Sequence, residues 1–375
     1  MTDKTVLHII TRFQNGGAET TTINELEALN DTEEAYDLHL GYGYDSDETA
    51  VSDAVPESVT TVCFEQIRHG SLGRTLPAVL EVTGYLRRSS CDVVHTHSTE
   101  AGVIGRWAGT LAQTPTIIHE IHGDPITEDR SAVLNTFVTA MERLSAPLAT
   151  KLIVKSERIR EDFLKRGIGT REQYEVIYHG VNVARFSGIA PADIPESSAD
   201  RQLLFVGRLS DGKGLFDLLD GFEAVAARHS VNLVIAGDGP MRSDLEETVE
   251  QRGLSDSVFL LGYRTDIPQL LAASDVLVLP SYREGTPRVI SEALASATPV
   301  VASRIAGIPE QVTDGETGLL IEPGNVEALI DALEALLASE QRRKTMSNRC
   351  GNGVDRFSRE SSAIDIIELY RSLTN

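Results

Sequence analysis

The chain of 375 residues carries a formal net charge of -22, with 41% hydrophobic residues. That length is long for one core and comfortable for two domains, and the acidic balance argues against duplex nucleic acid as the main partner. No apolar run reaches the roughly 18 residues of a membrane span, and the start MTDKTVLHIITRF lacks a basic-then-apolar leader, so a cytoplasmic protein is expected. Cys63, Cys91 and Cys350 lie far apart without metal-type spacing, which fits a reducing compartment. Lysine occurs at only six positions while arginine is abundant, a composition suited to a salty cytoplasm.

In chain order, short apolar runs alternate with amphipathic segments of helix length, the pattern of parallel sheets with crossover helices. The first half offers strands at VLHII (6–10), YDLHLGY (36–42), SVTTVC (58–63), DVVHTH (92–97), PTIIHEIH (115–122) and KLIVK (151–155). Residues 188–202, GIAPADIPESSADRQ, have the composition of a linker. The second half follows with LLFVG (203–207), VNLVIAG (231–237), SVFLLG (257–262), DVLVLP (275–280), TPVVAS (298–303) and GLLIEP (318–323). The predicted architecture is α/β, with two doubly wound Rossmann-like domains at 1–187 and 203–354 and a terminal segment at 355–375. Two such domains facing each other imply a cleft, with ligands at the carboxyl ends of the strands.

Candidate motifs do follow strands. QNGGAE (14–19) places Gly16 and Gly17 where backbone can approach a ligand, although a tight turn explains it equally. His95, His97, His119 and His122 come from two strand ends, and their spacing could supply a zinc site. Against this, alternation sends His95 and His97 to one face and Thr96 to the other, and His95 reads equally as core; no metal is expected. His122, before Gly123, suits a polar group lining the cleft. VGRLSDGKG (206–214) brings Arg208 and Lys213, cations fit to neutralise a leaving diphosphate. This stretch nearly matches a P-loop, but Gly214 stands where a Mg²⁺-binding Ser or Thr belongs, so an NTPase is disfavoured. GDGP (237–240) reads as a glycine turn, and LGYRTD (261–266) offers Tyr263 and the backbone of Arg264 to a nucleobase.

EGTPRVISE (284–292) follows the strand DVLVLP. Thr286 is expected as N-cap and Pro287 as the first residue of a helix running to about Ser296, whose first amides can hold a diphosphate. Glu284 and Glu292 would then lie about 12 Å apart on a continuous helix, placed to accept hydrogen bonds from hydroxyls on either side of a phosphate. A nucleotide sugar has that layout.

As an ordered set, GGAE, HTH (95–97), HEIHG, VGRLSDGKG, GDGP, LGY, SDVLVLPSYREGTPRVISEALASATPVVAS, AGIPE and GETGLLIEPGN resemble family-4 retaining glycosyltransferases, densely over residues 203–325. The resemblance implies the GT-B fold, a nucleotide-sugar donor held mainly by the second domain, and an acceptor approached from the first. Glu284 would contact donor-sugar hydroxyls, and the backbone of Gly285, Thr286 and Pro287 the diphosphate or sugar. Glu292 would bind the ribose, Arg208 and Lys213 the diphosphate with help from Gly16 and Gly17, and His122 would lie near the reacting face of the sugar. The tail 355–373 is similar to a terminal helix that crosses back to the first domain. EGTPR, where many members have Gly-Phe-Gly after the glutamate, resembles enzymes of surface-polysaccharide and glycan assembly.

The expected function is transfer of a hexose-type sugar, with retention, to a glycan, lipid-linked or small-molecule acceptor. The donor is a substrate, and no cofactor or metal is expected. A lipid-linked acceptor would bring peripheral contact with the inner face of a membrane. The competing readings are a nucleotide-sugar 2-epimerase of the same fold and a non-catalytic nucleotide-sugar-binding protein.

Overall fold

A computed structural model describes residues 4–14, 16–70, 72–126, 131–192, 194 and 199–374. The chain forms two compact units: residues 1–180 with 359–375, and residues 181–358. The break falls at Gly180, before the expected boundary at 187. Residues 188–202 belong with the second unit and run directly into a strand that starts at Arg201.

The strands of unit 1 are β1 (Lys4–Ile10), β2 (Tyr36–Gly43), β3 (Thr60–Phe64), β4 (Val93–His97), β5 (Thr116–Ile121), β6 (Lys151–Val154) and β7 (Tyr174–Val176). All pair in parallel, in the order β3-β2-β1-β4-β5-β6-β7. Its helices are α1 (Gly17–Asn30), α2 (Glu48–Ala54), α3 (Thr75–Arg88), α4 (Thr99–Ala112), α5 (Ala132–Ser145) and α6 (Glu157–Lys165). Central strands β4 and β5 are buried at every position, as a parallel sheet covered on both faces requires. β7 has no counterpart among the expected strands. Its three residues follow a 3-10 turn, and so short a run carries no readable alternation.

Unit 2 contains β8 (Arg201–Val206), β9 (Val231–Ala236), β10 (Val258–Gly262), β11 (Val276–Leu279), β12 (Val300–Ser303) and β13 (Gly318–Ile321), in the order β10-β9-β8-β11-β12-β13. Its helices are α7 (Leu215–Ala226), α8 (Arg242–Gln251), α9 (Ile267–Ala272), α10 (Arg288–Ala295), α11 (Ile308–Gln311), α12 (Val326–Leu337) and α13 (Glu340–Cys350). One contiguous core joins them, with Phe205, Phe222, Leu277 and Leu333 all fully buried. Strand limits agree with the sequence reading to within about two residues at each end, the spread expected of hydrogen-bond-defined boundaries.

The expected terminal helix begins later than residue 355. Residues Val354–Phe357 make a 3-10 turn within unit 2, Ser358 is extended, and α14 spans Arg359–Thr374. Ile366, Leu369 and Tyr370, at helical spacing, bury against unit 1 alongside Leu26 and Leu29 of α1. Where the chain leaves and re-enters unit 1, Val181 donates its N–H to the carbonyl of Phe357 at 2.8 Å.

Candidate functional site

In unit 2 the strand order reverses between β8 and β11, and a doubly wound sheet opens a crevice at such a point. The loops after these two strands touch. Gly212, at φ 85°, accepts the N–H groups of Tyr282 and Arg283 on its carbonyl at 2.8 and 3.2 Å. Gly214, at φ 64°, leaves no room for a side chain, since a Cβ there would lie 2.1 Å from the carbonyl oxygen of Pro280. Only glycine tolerates both demands. This contact sets Lys213 Nζ 2.7 Å from Glu284 Oε1, which also accepts the hydroxyl of Ser281 at 2.8 Å. The Glu284 side chain is 8% exposed and that of Lys213 23%. Arg208 stands exposed on the same loop, and a Cβ on Gly237 would meet the carbonyl of Gly207 at 1.8 Å, so the GDGP turn packs directly beneath it.

The start of α10 differs from expectation. Pro287, not Thr286, is the N-cap, with φ -68° and ψ 120°, and the helix starts at Arg288. Gln311 fixes this geometry by donating to the carbonyl of Pro287 at 3.0 Å and to Ser291 Oγ at 2.7 Å. Proline has no N–H, so the backbone donors at this end belong to Gly285, Thr286 and the first turn of α10. Thr286 is buried, and the carbonyl of Gly285 accepts from the N–H of Gly307 at 2.9 Å. Glu292 is half-buried on α10; burial raises its carboxyl above the usual range, tempered by the guanidinium groups of Arg288 and Arg185.

Tyr263 and Arg264 follow β10, the edge strand, three strands from β11. Tyr263 is exposed and Arg264 forks onto Asp266.

Unit 1 reverses its order between β1 and β4. Gly16 caps α1 in extended backbone, and Gly17 begins the helix with open space where a side chain would be. Glu19 folds back over this turn and accepts the N–H of Gln14 at 3.2 Å. At the ends of β4 and β5 lies a cavity of about 290 Å³ lined by Ser98, His119, His122, Asp124, Pro125 and Glu142. Burial, reinforced by the Lys155 ammonium and opposed by Glu120, brings the His122 imidazole down to about 4. It is therefore neutral near pH 7, able to donate from one nitrogen and accept at the other.

Behind His122 runs a buried polar chain. His122 Nε2 lies 3.3 Å from His97 Nδ1, whose Nε2 lies 2.9 Å from His8 Nδ1. The Tyr370 hydroxyl of α14 reaches His95 Nδ1 at 3.0 Å and His8 Nε2 at 3.1 Å. Glu120 faces His95 Nε2 at 3.4 Å and His97 Nδ1 at 3.5 Å, and it forms a close ion pair with Lys155. Burial alone would raise the Glu120 carboxyl, but Lys155 and His122 hold it well below the usual range. Glu25, 3.8 Å from Lys155, is pushed well above that range by burial and by Glu120.

The zinc set of four histidines does not converge. His119 points to the opposite face of the sheet, where its Nδ1 lies 3.0 Å from Thr96 Oγ1 and its ring fills the space left by Gly102. Two other groups do approach within 4.8 Å: His8, Glu25, His95 and His97, and His97, Glu120 and His122. Lys155 already supplies a positive charge between their two carboxylates, an arrangement unfavourable to a second cation. The sequence reading missed His8, Glu25, Glu120, Lys155 and Tyr370. A polar residue inside VLHII, HEIH and KLIVK was the available signal for three of them; Glu25 and Tyr370 had none.

Residues 16–180 match the family model described as "Glycosyl transferase 4-like domain", and residues 189–351 match "Glycosyl transferases group 1". An Escherichia coli protein described as UDP-Gal:alpha-D-GlcNAc-diphosphoundecaprenol alpha-1,3-galactosyltransferase is 28% identical over 349 residues, 90% of this chain and 89% of that one. The Staphylococcus aureus capsular polysaccharide biosynthesis glycosyltransferase CapM is 24% identical over 311 residues, 80% of each. The crystal structure of Anabaena HepE with UDP and glucose superposes with a TM-score of 0.82 at 24% identity, covering 98% of this chain and 100% of that chain. Two doubly wound parallel sheets with these neighbours define the GT-B fold. The chain belongs to the family-4 glycosyltransferases.

Proposed function

We propose that this glycosyltransferase moves a hexose-type sugar from a nucleotide-sugar donor to a glycan or lipid-linked acceptor, with retention at the anomeric carbon and without a metal. The single observation that carries the reading is the Lys213–Glu284 pair, 2.7 Å apart at the β8/β11 switch point. A cation for the leaving phosphate and a carboxylate for sugar hydroxyls meet where a doubly wound sheet binds its ligand. The donor and acceptor classes draw on the relatives, among them the galactosyltransferase whose printed acceptor is a diphosphoundecaprenol-linked sugar.

The bond from the anomeric carbon to the leaving phosphate lengthens while Lys213 and Arg208 take up the developing charge. The acceptor hydroxyl attacks on the same face, and its proton passes to the departing phosphate oxygen. Glu284, already holding Ser281 and Lys213, is assigned to sugar hydroxyls rather than to nucleophilic attack. The backbone donors of Gly285 and Thr286 with the first turn of α10 are assigned to the diphosphate or sugar, and Pro287, whose carbonyl is held by Gln311, caps the helix that presents them. Glu292 is assigned to the ribose, Tyr263 and Arg264 to the base, and Gly16 and Gly17 to the diphosphate. Neutral His122 is assigned to a hydroxyl of the reacting sugar.

Melting the protein with UDP-, GDP- and ADP-sugars identifies the donor by a rise in Tm. Proton NMR of the first product with that donor then reads the anomeric configuration. An inverted product overturns same-side attack, and turnover abolished by a chelator and restored by Mn²⁺ overturns metal independence.

A further inference from the structure

The buried polar chain of unit 1 closes on itself. From His122 it runs through His97, His8 and Tyr370 to His95, every link lying between 2.9 and 3.3 Å. Its two ends both face Glu120: His122 Nδ1 lies 3.5 Å from Oε1, and His95 Nε2 lies 3.4 Å from Oε2. Six side chains thus form a ring with one carboxylate as its junction. His97 Nδ1 also lies 3.5 Å from Oε2, but it is already engaged with His122. Glu25 approaches His95 at 3.8 Å and His97 at 4.0 Å, outside hydrogen-bond distance of either. Lys155 stands beside the ring, paired with Glu120 through Oε1.

A neutral imidazole carries one proton, so the nitrogen that donates leaves the other to accept. Burial pushes all four imidazoles below their ordinary range, so each is neutral near pH 7. The Tyr370 hydroxyl likewise has one hydrogen to give. A choice made at one link therefore passes to the next. If His95 gives its Nε2 proton to Glu120, its Nδ1 must accept from Tyr370. Tyr370 then accepts from His8 Nε2–H, His8 Nδ1 from His97 Nε2–H, and His97 Nδ1 from His122 Nε2–H. All four histidines are protonated on Nε2, and His122 is left with a bare Nδ1. The reverse arrangement puts all four protons on Nδ1, with His122 donating to Glu120 and His95 left bare. No mixed arrangement keeps every link.

Two features select the first arrangement. Lys155 takes up Glu120 Oε1, so Oε2, the oxygen facing His95, is the one in want of a donor. A bare nitrogen is also tolerable only where a donor can reach it. His95 is fully buried, whereas His122 lines the cavity at the ends of β4 and β5. We infer that Tyr370 is a positioning residue for His122: through this ring it holds the His122 proton on Nε2, so that His122 meets a ligand hydroxyl as an acceptor, at Nδ1. Nδ1 is buried against Glu120 and accepts from none of the described residues. Its lone pair faces that carboxylate, a repulsion that favours the turn of the imidazole presenting Nδ1 to the cavity. The hydroxyl rests on the proposed reaction; the placing of the protons does not. Opening the ring has a definite consequence. Without the Tyr370 hydroxyl both ends can donate to Glu120 at once, and such charge-assisted bonds are the stronger kind. His8, His97 and His122 then carry their protons on Nδ1, while His95 keeps Nε2.

The test is the full chain labelled with ¹⁵N-histidine, whose long-range ¹H–¹⁵N spectrum near pH 7 tells Nδ1–H from Nε2–H. Each signal is assigned by its loss when that histidine is replaced by glutamine. In the wild type His8, His95, His97 and His122 are expected as Nε2–H, and an Nδ1 proton on any of them overturns the inference. Tyr370→Phe keeps the buried aromatic ring and should reverse the tautomers of His8, His97 and His122 alone. A folded Tyr370→Phe protein with all four tautomers unchanged overturns the inference as well, and the wild-type spectrum decides by itself should the variant fail to fold. With the donor found by melting, Tyr370→Phe should lower kcat/KM about tenfold, the worth of one hydrogen bond. An unchanged kcat/KM beside reversed tautomers removes Tyr370 as a positioning residue. The spectrum is read without substrate, so a wild type that transfers no sugar counts against the proposed reaction and not against the ring.

Discussion

The two units use the same topological position in different ways. In unit 2 the reversal of strand order is occupied by loops: glycines at 212 and 214 let the chain after β8 touch the chain after β11, and the charged pair Lys213–Glu284 sits on that contact. In unit 1 the chemistry begins inside the strands, where His8, His95, His97 and Glu120 are fully buried and Glu120 and His122 line the cavity. Loop chemistry can change without disturbing a core. A buried polar chain cannot, because each member left without its partner costs free energy. Mutations at the two sites should therefore differ in kind, with activity lost in unit 2 and stability lost in unit 1.

The largest effect is expected from removing residues 359–375. Ile366, Leu369 and Tyr370 each contribute about 1.5–3 kcal/mol of burial, and Tyr370 also closes the histidine chain. Their sum is comparable to the whole stability of a domain. Calorimetry should lose the transition of unit 1 and keep that of unit 2; two unchanged transitions would break the comparison. Lys213→Ala should lower kcat about 10²–10³-fold with little change in Tm, and a Tm drop of similar weight to the tail deletion would erase the contrast. Glu284→Gln should reduce kcat by about tenfold or more, because its bonds to the sugar strengthen as charge develops. Glu292→Gln should chiefly raise KM and weaken binding of the bare nucleoside diphosphate. Calorimetric titration showing the reverse would exchange the two assignments.

A smaller effect separates the units by pH. Burial lowers the imidazole values of His8, His95, His97, His119 and His122 below the ordinary 6.5, His122 to about 4. The unfolded chain then binds more protons below pH 6.5, so their contribution to stability is full above that pH and is lost as pH falls toward 4. Each titrating histidine removes up to about 1.4 kcal/mol per pH unit. Glu25, Glu19 and Asp365, raised by burial, work in the opposite sense, three groups against five. Unit 2 contains only His229, so acidification should lower the unit 1 transition first. The smallest effect is a rise in Tm with KCl as salt screens the -22 charge; a flat Tm from low to molar salt would remove the link to a salty cytoplasm.

The fold was legible because parallel strands buried on both faces write themselves as apolar runs, and twelve of those runs became strands. β7 escaped because three residues hold no period. The juxtaposition of Lys213 and Glu284 could be inferred only from the family likeness, since a sequence separation of 71 carries no signal of contact. Thr286 was misread as a cap because side-chain preference cannot register Gln311, far along the chain, holding Pro287. The buried network was the least legible part. Lys155 ends its strand looking like a surface cation, and only the meeting of β5, β6 and α1 shows that it faces Glu120 and Glu25.

The return of α14 to unit 1 also sets a timetable for synthesis. Unit 2 is an insertion between residues 180 and 359 of unit 1, so the ribosome makes all of unit 2 before it makes Ile366 and Tyr370. Domains ordinarily fold in the order they emerge, but here the first to emerge is the last that can be finished. Until the final turn of α14 leaves the exit tunnel, His8 and His95 lack their tyrosine and the apolar side of α1 lacks its cover. A nascent chain stalled after unit 2 has emerged but before the final turn of α14 has should hold a complete second unit and an open first one, the natural binding site for a chaperone during translation.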